Sequence, residues 1–392
     1  MIKEINIPNG WKEIELGNLG TFSKGKGLSK SELKDGGYPC IRYGEIYTKH
    51  DIKIKEFYSF IDEDSAKNSK KVQLNDLLFA GSGETLSEIG KCVSYNLSHK
   101  AYVGSDIIIL RFSSDVIISI YASYFINSIG RKQLNKMGSG NSVVHIYAKD
   151  LEKVKIVLPP LQEQKAIADI LEKWDEAIEK TSKLIAAKKK RFEWVRKFSL
   201  TTKKDWENIK LKDFLIESNQ KSQIENEYKI LSSTMNSVEI RSGRVDAVSN
   251  IGYKIIRRNQ LVLSPQNLWL GNINVNTDYE VGLVSPSYKI FDFNENIILS
   301  DFAKFLFKTN KMLWNYKLCS EAGASVVRRN LDLNLFYEIK IFIPALEQQK
   351  QIAKTLNTAK KEITILEEIL GKYKSQKKGL MQKLLTGKIR VK

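Results

Sequence analysis

The chain has 392 residues, of which 63 are Lys or Arg and 45 are Asp or Glu, so its formal charge is +18. A hydrophobic content of 42% excludes a disordered chain, and the length predicts two or more domains. The positive charge favours a polyanionic partner, nucleic acid rather than a membrane surface. The apolar runs are too short to span a bilayer and the amino terminus lacks the apolar core of a secretory signal, so we expect a cytoplasmic protein.

The cysteines do not form a pattern typical of a disulfide framework or a zinc site. Cys40, Cys92 and Cys319 are odd in number and widely spaced, which favours free thiols in a reducing compartment. The three histidines do not cluster with them in the sequence. We therefore expect no metal site.

Residues 1–157 form the first predicted domain. Short β-like runs such as residues 101–112 are broken by Gly, Asn and Ser, and residues 118–137 form one helix-like stretch. These mixed signals predict an α+β domain.

Residues 158–202 form the first predicted spacer helix. Apolar residues recur in alternating steps of three and four, the heptad pattern of a coiled coil. The seam residues in this helix are Ile167, Leu171, Trp174, Ile178, Ile185 and Phe192.

The second half of the chain repeats the first. Trp206-Glu-Asn-Ile echoes Trp11-Lys-Glu-Ile at an offset of 195, and Leu346-Glu-Gln-Gln echoes Leu161-Gln-Glu-Gln at an offset of 185. This repeat predicts a second α+β domain over residues 203–342, with a helix-like stretch at 299–319, and a second spacer helix over 343–392. The seam residues in the second helix are Ile352, Leu356, Ile363, Leu366, Leu370 and Leu380.

The predicted architecture is therefore two α+β domains joined by two long helices that form an antiparallel coiled coil, with an approximate two-fold repeat. About 35 helical residues make a rod of roughly 50 Å, which is longer than a compact domain of this size. The competing interpretation is that each helix packs only on its own domain.

Several polar loops in the two domains contain the side chains that form bidentate contacts with base edges, or small residues that allow close approach to a phosphate backbone. For each of them the competing interpretation is an ordinary surface residue. The candidate DNA-binding residues are Lys24, Lys26, Arg42, Tyr43, Ser82, Ser139, Asn141, Asn219, Lys221, Arg257, Arg258, Gln266, Asn267, Arg328, Arg329 and Asn330.

The sequence lacks the usual catalytic motifs. It contains no GxxxxGK[ST], no GxGxxG after a strand and no Asn-Pro-Pro-aromatic motif of enzymes that methylate amino groups of DNA bases. Glu338-Ile-Lys340 resembles the tail of a nuclease motif, but its place in a β-like run favours a structural role. We therefore interpret the chain as a binding protein without a catalytic centre.

The repeated junction and the end of the chain resemble one known family. Two variable domains, each followed by proline, Leu-x-x-Gln and a heptad helix, and a terminus reading GLMQKLLTGKIRV at 379–391 are similar to the specificity subunit of type I restriction-modification systems. The first helix departs from this pattern at its end, where Thr202 stands at the position of Gly387.

The resemblance implies that each domain is a target recognition domain, which reads one half of a split double-stranded DNA target in the major groove. The helices would set the distance between the halves. The implied partners are two methyltransferase subunits and the motor-nuclease restriction subunits, which would bind S-adenosylmethionine, ATP and Mg²⁺ themselves. The competing hypothesis is a coiled-coil scaffold for protein assembly without sequence-specific DNA binding.

Overall fold

The computed structural model of the chain describes residues 7–86, 88–113, 115–138, 144–242, 249–322 and 329–391. The chain divides into two compact units. Unit 1 comprises Met1–Ser182 with Ile369–Lys392, and unit 2 comprises Lys183–Glu368. Each unit contains one α+β domain and a part of each long helix, which confirms the predicted fold class. The exact domain boundaries at 157, 202 and 342 stay predictions.

Unit 1 is built from short strands and helices. Its strands are β1 (Lys12–Glu15), β2 (Gly20–Lys24), β3 (Leu33–Lys34), β4 (Tyr38–Ile41), β5 (Ser59–Ile61), β6 (Lys70–Lys71), β7 (Asp76–Ala80), β8 (Ser82–Gly83), β9 (Cys92–Tyr95), β10 (Tyr102–Val103), β11 (Ile107–Phe112), β12 (Val144–His145) and β13 (Lys155–Leu158). Its short helices are α1 (Tyr43–Thr48), α2 (Glu63–Asn68), α3 (Ser119–Ser128), α4 (Arg131–Met137) and α5 (Ala148–Leu151).

The central sheet of unit 1 has the antiparallel order β2-β11-β7-β9. Every residue of β7 is buried, because alternate side chains point to opposite faces and both faces are covered. Leu77 and Phe79 join the cluster that includes α3, whereas Leu78 and Ala80 join a second cluster beneath β4 and α1. A smaller sheet has the order β3-β5-β4-β10-β6.

Unit 2 repeats this plan. Its strands are β14 (Glu207–Lys210), β15 (Leu215–Ser218), β16 (Leu231–Ser233), β17 (Val238–Ile240), β18 (Lys254–Arg257), β19 (Leu261–Leu263), β20 (Ile273–Val275), β21 (Val281–Val284), β22 (Lys289–Phe293), β23 (Ser320–Ala322), β24 (Arg329–Leu331) and β25 (Lys340–Ile343). Its short helices are α7 (Ser300–Leu306), α8 (Asn310–Leu318) and α9 (Leu333–Tyr337), and a 3₁₀ helix spans Pro265–Leu270. The central sheet β15-β22-β19-β20 corresponds strand by strand to that of unit 1.

The two helix-like stretches predicted at 118–137 and 299–319 are each two helices, so the prediction of single helices was wrong. In unit 1 the Gly130 amide donates to the Phe125 carbonyl at 2.9 Å, which interrupts the regular helical pattern between α3 and α4. In unit 2 the Thr309 hydroxyl accepts from the Met312 amide and caps the start of α8. Apolar periodicity did not reveal these local breaks.

The long helices α6 (Leu161–Ser199) and α10 (Leu346–Leu385) run antiparallel within each unit. In unit 1 the start of α6 and the end of α10 enter one core, and Ile167 and Leu384 belong to the same buried cluster. In unit 2 the end of α6 and the start of α10 do so, with Phe192 packed against the core that contains Leu356. No helix among the residues that the structure describes is long and apolar enough to cross a membrane.

The residues predicted to form the seam are all buried or half-buried. Ile167, Leu171 and Leu356 are fully buried in domain cores, and Trp174 meets Tyr373 edge to face at 5.7 Å between ring centroids. Charged pairs flank the contacts: Lys188 pairs with Glu362 at 2.5 Å and Lys189 with Glu367 at 2.6 Å. The seam side chains therefore bind the helices to the domains as well as to each other.

A buried glutamine fixes each domain to its helix. In unit 1 the Gln164 amide donates to the carbonyls of Val116 (2.8 Å) and Pro159 (2.9 Å) and accepts from the Ile118 amide (3.0 Å), just before α3. The Leu-x-x-Gln motif is thus the point where the helix, the last strand and α3 meet.

Gln349 makes the same bonds in unit 2. It donates to the carbonyls of Ile297 and Pro344 and accepts from the Leu299 amide, each at 2.9 Å. Both glutamines are completely buried. A side-chain amide satisfies three backbone groups here at once, which neither a carboxylate nor an alkyl side chain could do.

The end of each domain that joins the helices, with the β1-β13 or β14-β25 ladder and the buried glutamine, is called the base. The carboxy-terminal tail, residues 386–391, folds back onto the base of unit 1. Arg390 donates through Nε and Nη2 to the Glu163 carboxylate (2.8 and 2.9 Å), and its guanidinium lies 5.5 Å from the Trp11 ring centroid. Trp11 Nε1 also donates to Glu163 (3.1 Å). Gly387 makes the turn with φ of +67°, and a Cβ there would lie 2.2 Å from Pro8, so only glycine fits.

Candidate nucleic-acid interface

In unit 1 the candidate Lys24 is the last residue of β2, and Lys26 lies on the loop that follows. The Gly25 amide donates to the Ile107 carbonyl (2.8 Å) and the Ser105 amide to the Gly27 carbonyl (3.2 Å), so the loop lies along residues 103–107. A Cβ at Gly25 would meet the Gly104 carbonyl oxygen at 1.9 Å. Both lysine side chains are exposed to solvent.

Arg42 and Tyr43 stand next to this loop. They begin α1, and the Arg42 amide is bonded to the Glu45 carboxylate at 3.2 Å. With Leu28, Ser29 and Asp106 they line a surface depression of about 460 Å³. Tyr43 is 40% exposed, which leaves its ring free to contact a ligand.

Ser82 lies on the same side of the domain but is largely buried. Its Oγ is 3.1 Å from Nδ1 of His145, and the preceding Gly81 amide donates to the Asp106 carbonyl. His145 is exposed and stacks on Tyr147, which is 53% exposed. The sequence reasoning missed these two rings, although they closely follow the polar loop that was singled out. The candidates Ser139 and Asn141 in that loop lie outside the described residues.

The unit 1 candidates that the structure describes therefore meet around residues 104–106. This region is at the end of β7 that is remote from the helix junction: Asn75, just before β7, bonds to Ile117 and Ser119 next to the Gln164 contacts, whereas Gly81 follows β7 at the candidate loops. The domain is held at one end and presents polar side chains at the other.

In unit 2 the corresponding end is formed by the 3₁₀ helix Pro265–Leu270 and β24. Gln266 is exposed and Asn267 is half-buried, while the Arg329 guanidinium lies 4.6 Å from the centroid of the Trp269 ring. Asn330 is exposed beside them on β24. The structure thus brings these four candidates together around Trp269, which the sequence reasoning missed. The candidate Arg328 lies outside the described residues.

A half-buried lysine links two of these loops. Lys308 Nζ donates to the carbonyls of Met235 (2.9 Å) and Gly271 (3.0 Å), which joins the loop after β16 to the loop between β19 and β20. Burial, with a smaller contribution from Lys360, lowers the pKa of Lys308 to about 8. Asn272 and Asn274 bind the same region through hydrogen bonds to Ser233. The end of each domain that is remote from the base is called the tip; in unit 2 it contains the 3₁₀ helix Pro265–Leu270 and β24. A polar network therefore sets the shape of the unit 2 tip.

The structure does not place Arg258 with this group. The hairpin β19-β20 has its loop at the tip, and Arg258 lies at the opposite end, where it donates to Glu280 (2.7 Å) and to the Thr277 carbonyl (2.6 Å). Arg257 is exposed and reaches Gln220 at 3.3 Å, between the exposed candidates Asn219 and Lys221. The adjacent arginines in the sequence thus have different partners in the fold.

Glu338 and Lys340, which resemble the tail of a nuclease motif, make contacts typical of a structural role. Glu338 accepts hydrogen bonds at 2.6 Å from both Lys210 and Lys212 on the neighbouring chain segment, and these bonds lower its pKa to about 2. Lys340 pairs with Lys210 across the β14-β25 ladder. In the part of the chain that the structure describes, no group of three or more His, Cys, Asp or Glu side chains could hold a metal ion.

Comparison with solved structures identifies the fold. The chain superposes on the specificity subunit of a type I restriction-modification system from M. genitalium with a TM-score of 0.61 at 15% identity, over 98% of this chain and 97% of that one. Two α+β domains with two long antiparallel helices are therefore the fold of that class of protein.

Sequence comparison finds similarity to the same class of protein. Residues 8–188 match the model of the type I restriction modification DNA specificity domain. The chain is 28% identical to the type I restriction enzyme MjaVIII specificity subunit of Methanocaldococcus jannaschii, over 99% of this chain and 95% of that protein. It is 27% identical to the putative MjaX specificity subunit of the same organism, over 98% and 95%. Over nearly its whole length the chain is therefore similar to type I restriction-modification specificity subunits, and its first half matches the DNA specificity domain of that family.

Proposed function

We propose that this chain is the DNA-reading subunit of a type I restriction-modification enzyme and that each domain reads one half of a split target in the major groove. The observation that carries the proposal is the common plan of the two units. Each is fixed at one end by a buried glutamine and presents Arg, Lys, Tyr, Gln or Asn side chains at the other. These side chains suit base edges and phosphates.

The long helices would set the distance between the two half-sites. Insertion of seven residues into both helices, after Ser182 and after Glu368, keeps the heptad register and adds about 10 Å to each helix. We expect the spacer in the DNA target to grow by about three base pairs while the bases read in each half stay the same. A change in the bases themselves would contradict this role of the helices.

The partners would be two methyltransferase subunits together with restriction subunits. Methyl transfer from S-adenosylmethionine and cleavage driven by ATP with Mg²⁺ would belong to those subunits, and this chain would carry no catalytic centre. The match to a DNA specificity domain and the missing nucleotide motifs support this division.

The test is a map of methylated adenines. The full chain is expressed with its methyltransferase partner in a host without other adenine methylation, and the genome is read by single-molecule sequencing. We expect one split motif, of which only one half changes when Arg329 and Asn330 are replaced by alanine. Methylation that is absent, or that follows an unsplit motif, would contradict the proposal.

The alternative of a protein-assembly scaffold makes the opposite prediction. A scaffold would bind no DNA even in complex with a methyltransferase subunit. A gel-shift titration of that complex at low and high salt distinguishes the two hypotheses, because a DNA reader binds phosphates and loses affinity steeply as salt rises.

A further inference from the structure

Unit 2 has a cavity at the position where unit 1 holds its carboxy-terminal tail. The tail site of unit 1 consists of Trp11 and Glu163, and the repeat places Trp206 and Gln348 at the same positions in unit 2. Glu163 is only 6% exposed because the tail covers it, whereas Gln348 is exposed. The equivalent site at the base is thus covered by the tail in unit 1 and open in unit 2.

The cavity has a volume of about 360 Å³, within the usual range of ligand sites. It is lined by Lys203, Trp206, Glu347, Gln348, Gln351 and Ile352. All six residues belong to unit 2.

One polar atom at this cavity has no acceptor. Trp206 is 6% exposed, and its Nε1 makes no hydrogen bond among the residues that the structure describes. Its counterpart in unit 1, Trp11 Nε1, donates to the carboxylate that also binds Arg390. Buried indole N–H groups usually have a partner, so the unpaired group indicates an acceptor that is supplied from outside.

We propose that this cavity binds an arginine-bearing peptide segment of a partner subunit, in the way that the tail site of unit 1 binds Arg390. Trp206 lines the cavity at the position where the Trp11 ring lies beside the Arg390 guanidinium in unit 1. Glu347 supplies a carboxylate at the rim, and a backbone carbonyl of the peptide accepts from Trp206 Nε1. The site is separate from the DNA-reading loops, so the inference holds independently of the proposed function.

The probe is a fluorescein-labelled peptide with the sequence of residues 386–391, Thr-Gly-Lys-Ile-Arg-Val, titrated with the full chain at low salt and followed by fluorescence anisotropy. We expect saturable binding of one peptide per chain, at least about tenfold weaker when the arginine of the peptide is replaced by alanine. Gln348→Glu restores the carboxylate found at Glu163 and strengthens binding about three- to tenfold. Glu347→Gln weakens it by a similar factor.

Gln162→Ala is the matched control, because Gln162 is the exposed unit 1 counterpart of Glu347, and the affinity should not change. Trp206→Phe keeps the ring but removes the N–H, and it should weaken binding without loss of the circular dichroism of the folded chain. Equal binding of the arginine-free peptide, or an affinity that ignores Gln348→Glu and Glu347→Gln, would overturn the proposal. Binding that changes only with Glu163→Gln would also overturn it, since the peptide would then occupy the tail site of unit 1.

Discussion

The domains of the two units are alike at the base, where they join the helices, and different at the tip, which is the opposite end. At the base, both have a two-stranded ladder, β1-β13 or β14-β25, and a glutamine with three matching hydrogen bonds. At the tip, unit 1 has α1 with Arg42 and Tyr43, whereas unit 2 has a 3₁₀ helix with Arg329 stacked on Trp269. The comparison teaches that the attachment of a domain to the helices is repeated while the polar surface at its opposite end varies.

The largest expected effect on stability comes from removing the glutamine hydrogen bonds that both bases share. Gln164→Ala and Gln349→Ala each leave one backbone N–H and two carbonyls without a partner in a buried site, so each should destabilise its own unit by about 3 kcal/mol. Hydrogen exchange followed by mass spectrometry, with peptides assigned to each unit, measures the two losses separately.

The exposed residue Gln162 provides the control for this test, since Gln162→Ala should change stability by less than about 0.5 kcal/mol. A large effect of Gln164→Ala with a negligible effect of Gln349→Ala would show that the two bases are not equivalent in energy.

The second prediction is that the stability of unit 1 falls at acid pH because of a buried histidine, whereas that of unit 2 does not. All three histidines lie in unit 1, and burial, helped by Lys91, lowers the pKa of His50 to about 4. The neutral form is favoured in the folded state, so this stability is complete above about pH 6.5 and is lost as the pH falls towards 4. The loss should reach about 3 kcal/mol at most, and it should be confined to unit 1.

Hydrogen exchange between pH 7.5 and 5, corrected for the intrinsic exchange rate, measures this loss. His50→Gln should flatten the pH dependence of unit 1, while His99→Gln, at an exposed position, should leave it unchanged. An equal loss of stability in unit 2 over the same range would rule out His50 as the cause.

The third prediction concerns the tips. Arg329→Ala should weaken the binding of a target duplex by about 2 kcal/mol and relax the choice of base in one half-site only. Arg258→Ala is the matched control, because Arg258 is paired with Glu280 at the other end of the hairpin and should have little effect. Binding of duplexes mutated in either half-site, by the chain in complex with the proposed methyltransferase partner, measures both changes.

The smallest expected effect concerns the tail site of unit 1, which the tail covers, compared with the open cavity of unit 2. Burial alone would raise the pKa of Glu163, but bonds from Arg390, the Val391 amide and Trp11 outweigh it and lower that pKa. Glu163→Gln should therefore release the tail at a cost of about 1–2 kcal/mol, seen as faster digestion by carboxypeptidase. Gln348→Ala should leave digestion of the tail unchanged.

The pH dependence of the tail contact follows from the same shift. Because the folded-state pKa of Glu163 is lowered, the stabilisation is complete above the ordinary pKa of a glutamate and is lost as the pH falls through the lowered value. Digestion of the wild-type tail should accelerate over this acid range, and digestion of the Glu163→Gln variant should show no such step.

The repeat and the heptads could be predicted because they are local and periodic. A seven-residue period over α6 and α10 identifies both helices without knowledge of anything they contact, and the Leu-x-x-Gln repeat marks both junctions. The role of Gln164 could not be predicted, because its three partners come from the end of β13 and the start of α3, which only the tertiary fold brings to it.

The candidate nucleic-acid interface was predictable only in part, because it depends on how distant strands pair. Loop composition singled out Arg42 and Ser82 separately, and the fold brings both next to residues 104–106. Arg258 and Gln266 are eight residues apart yet lie at opposite ends of the β19-β20 hairpin, and Trp269 becomes part of the site only through Arg329 on β24. Strand register, which is set by long-range contacts, decided each of these cases.

The composition of the units has a consequence for synthesis. Unit 2 is one continuous segment, Lys183–Glu368, so all of its residues are synthesised before residues 369–392, which belong to unit 1. The core of unit 1 includes Leu384 and Leu385, and its base is completed by Arg390. A domain usually folds as it emerges. Here the unit that is started first can complete its core and base only with residues 384–390, which are made after every residue of unit 2.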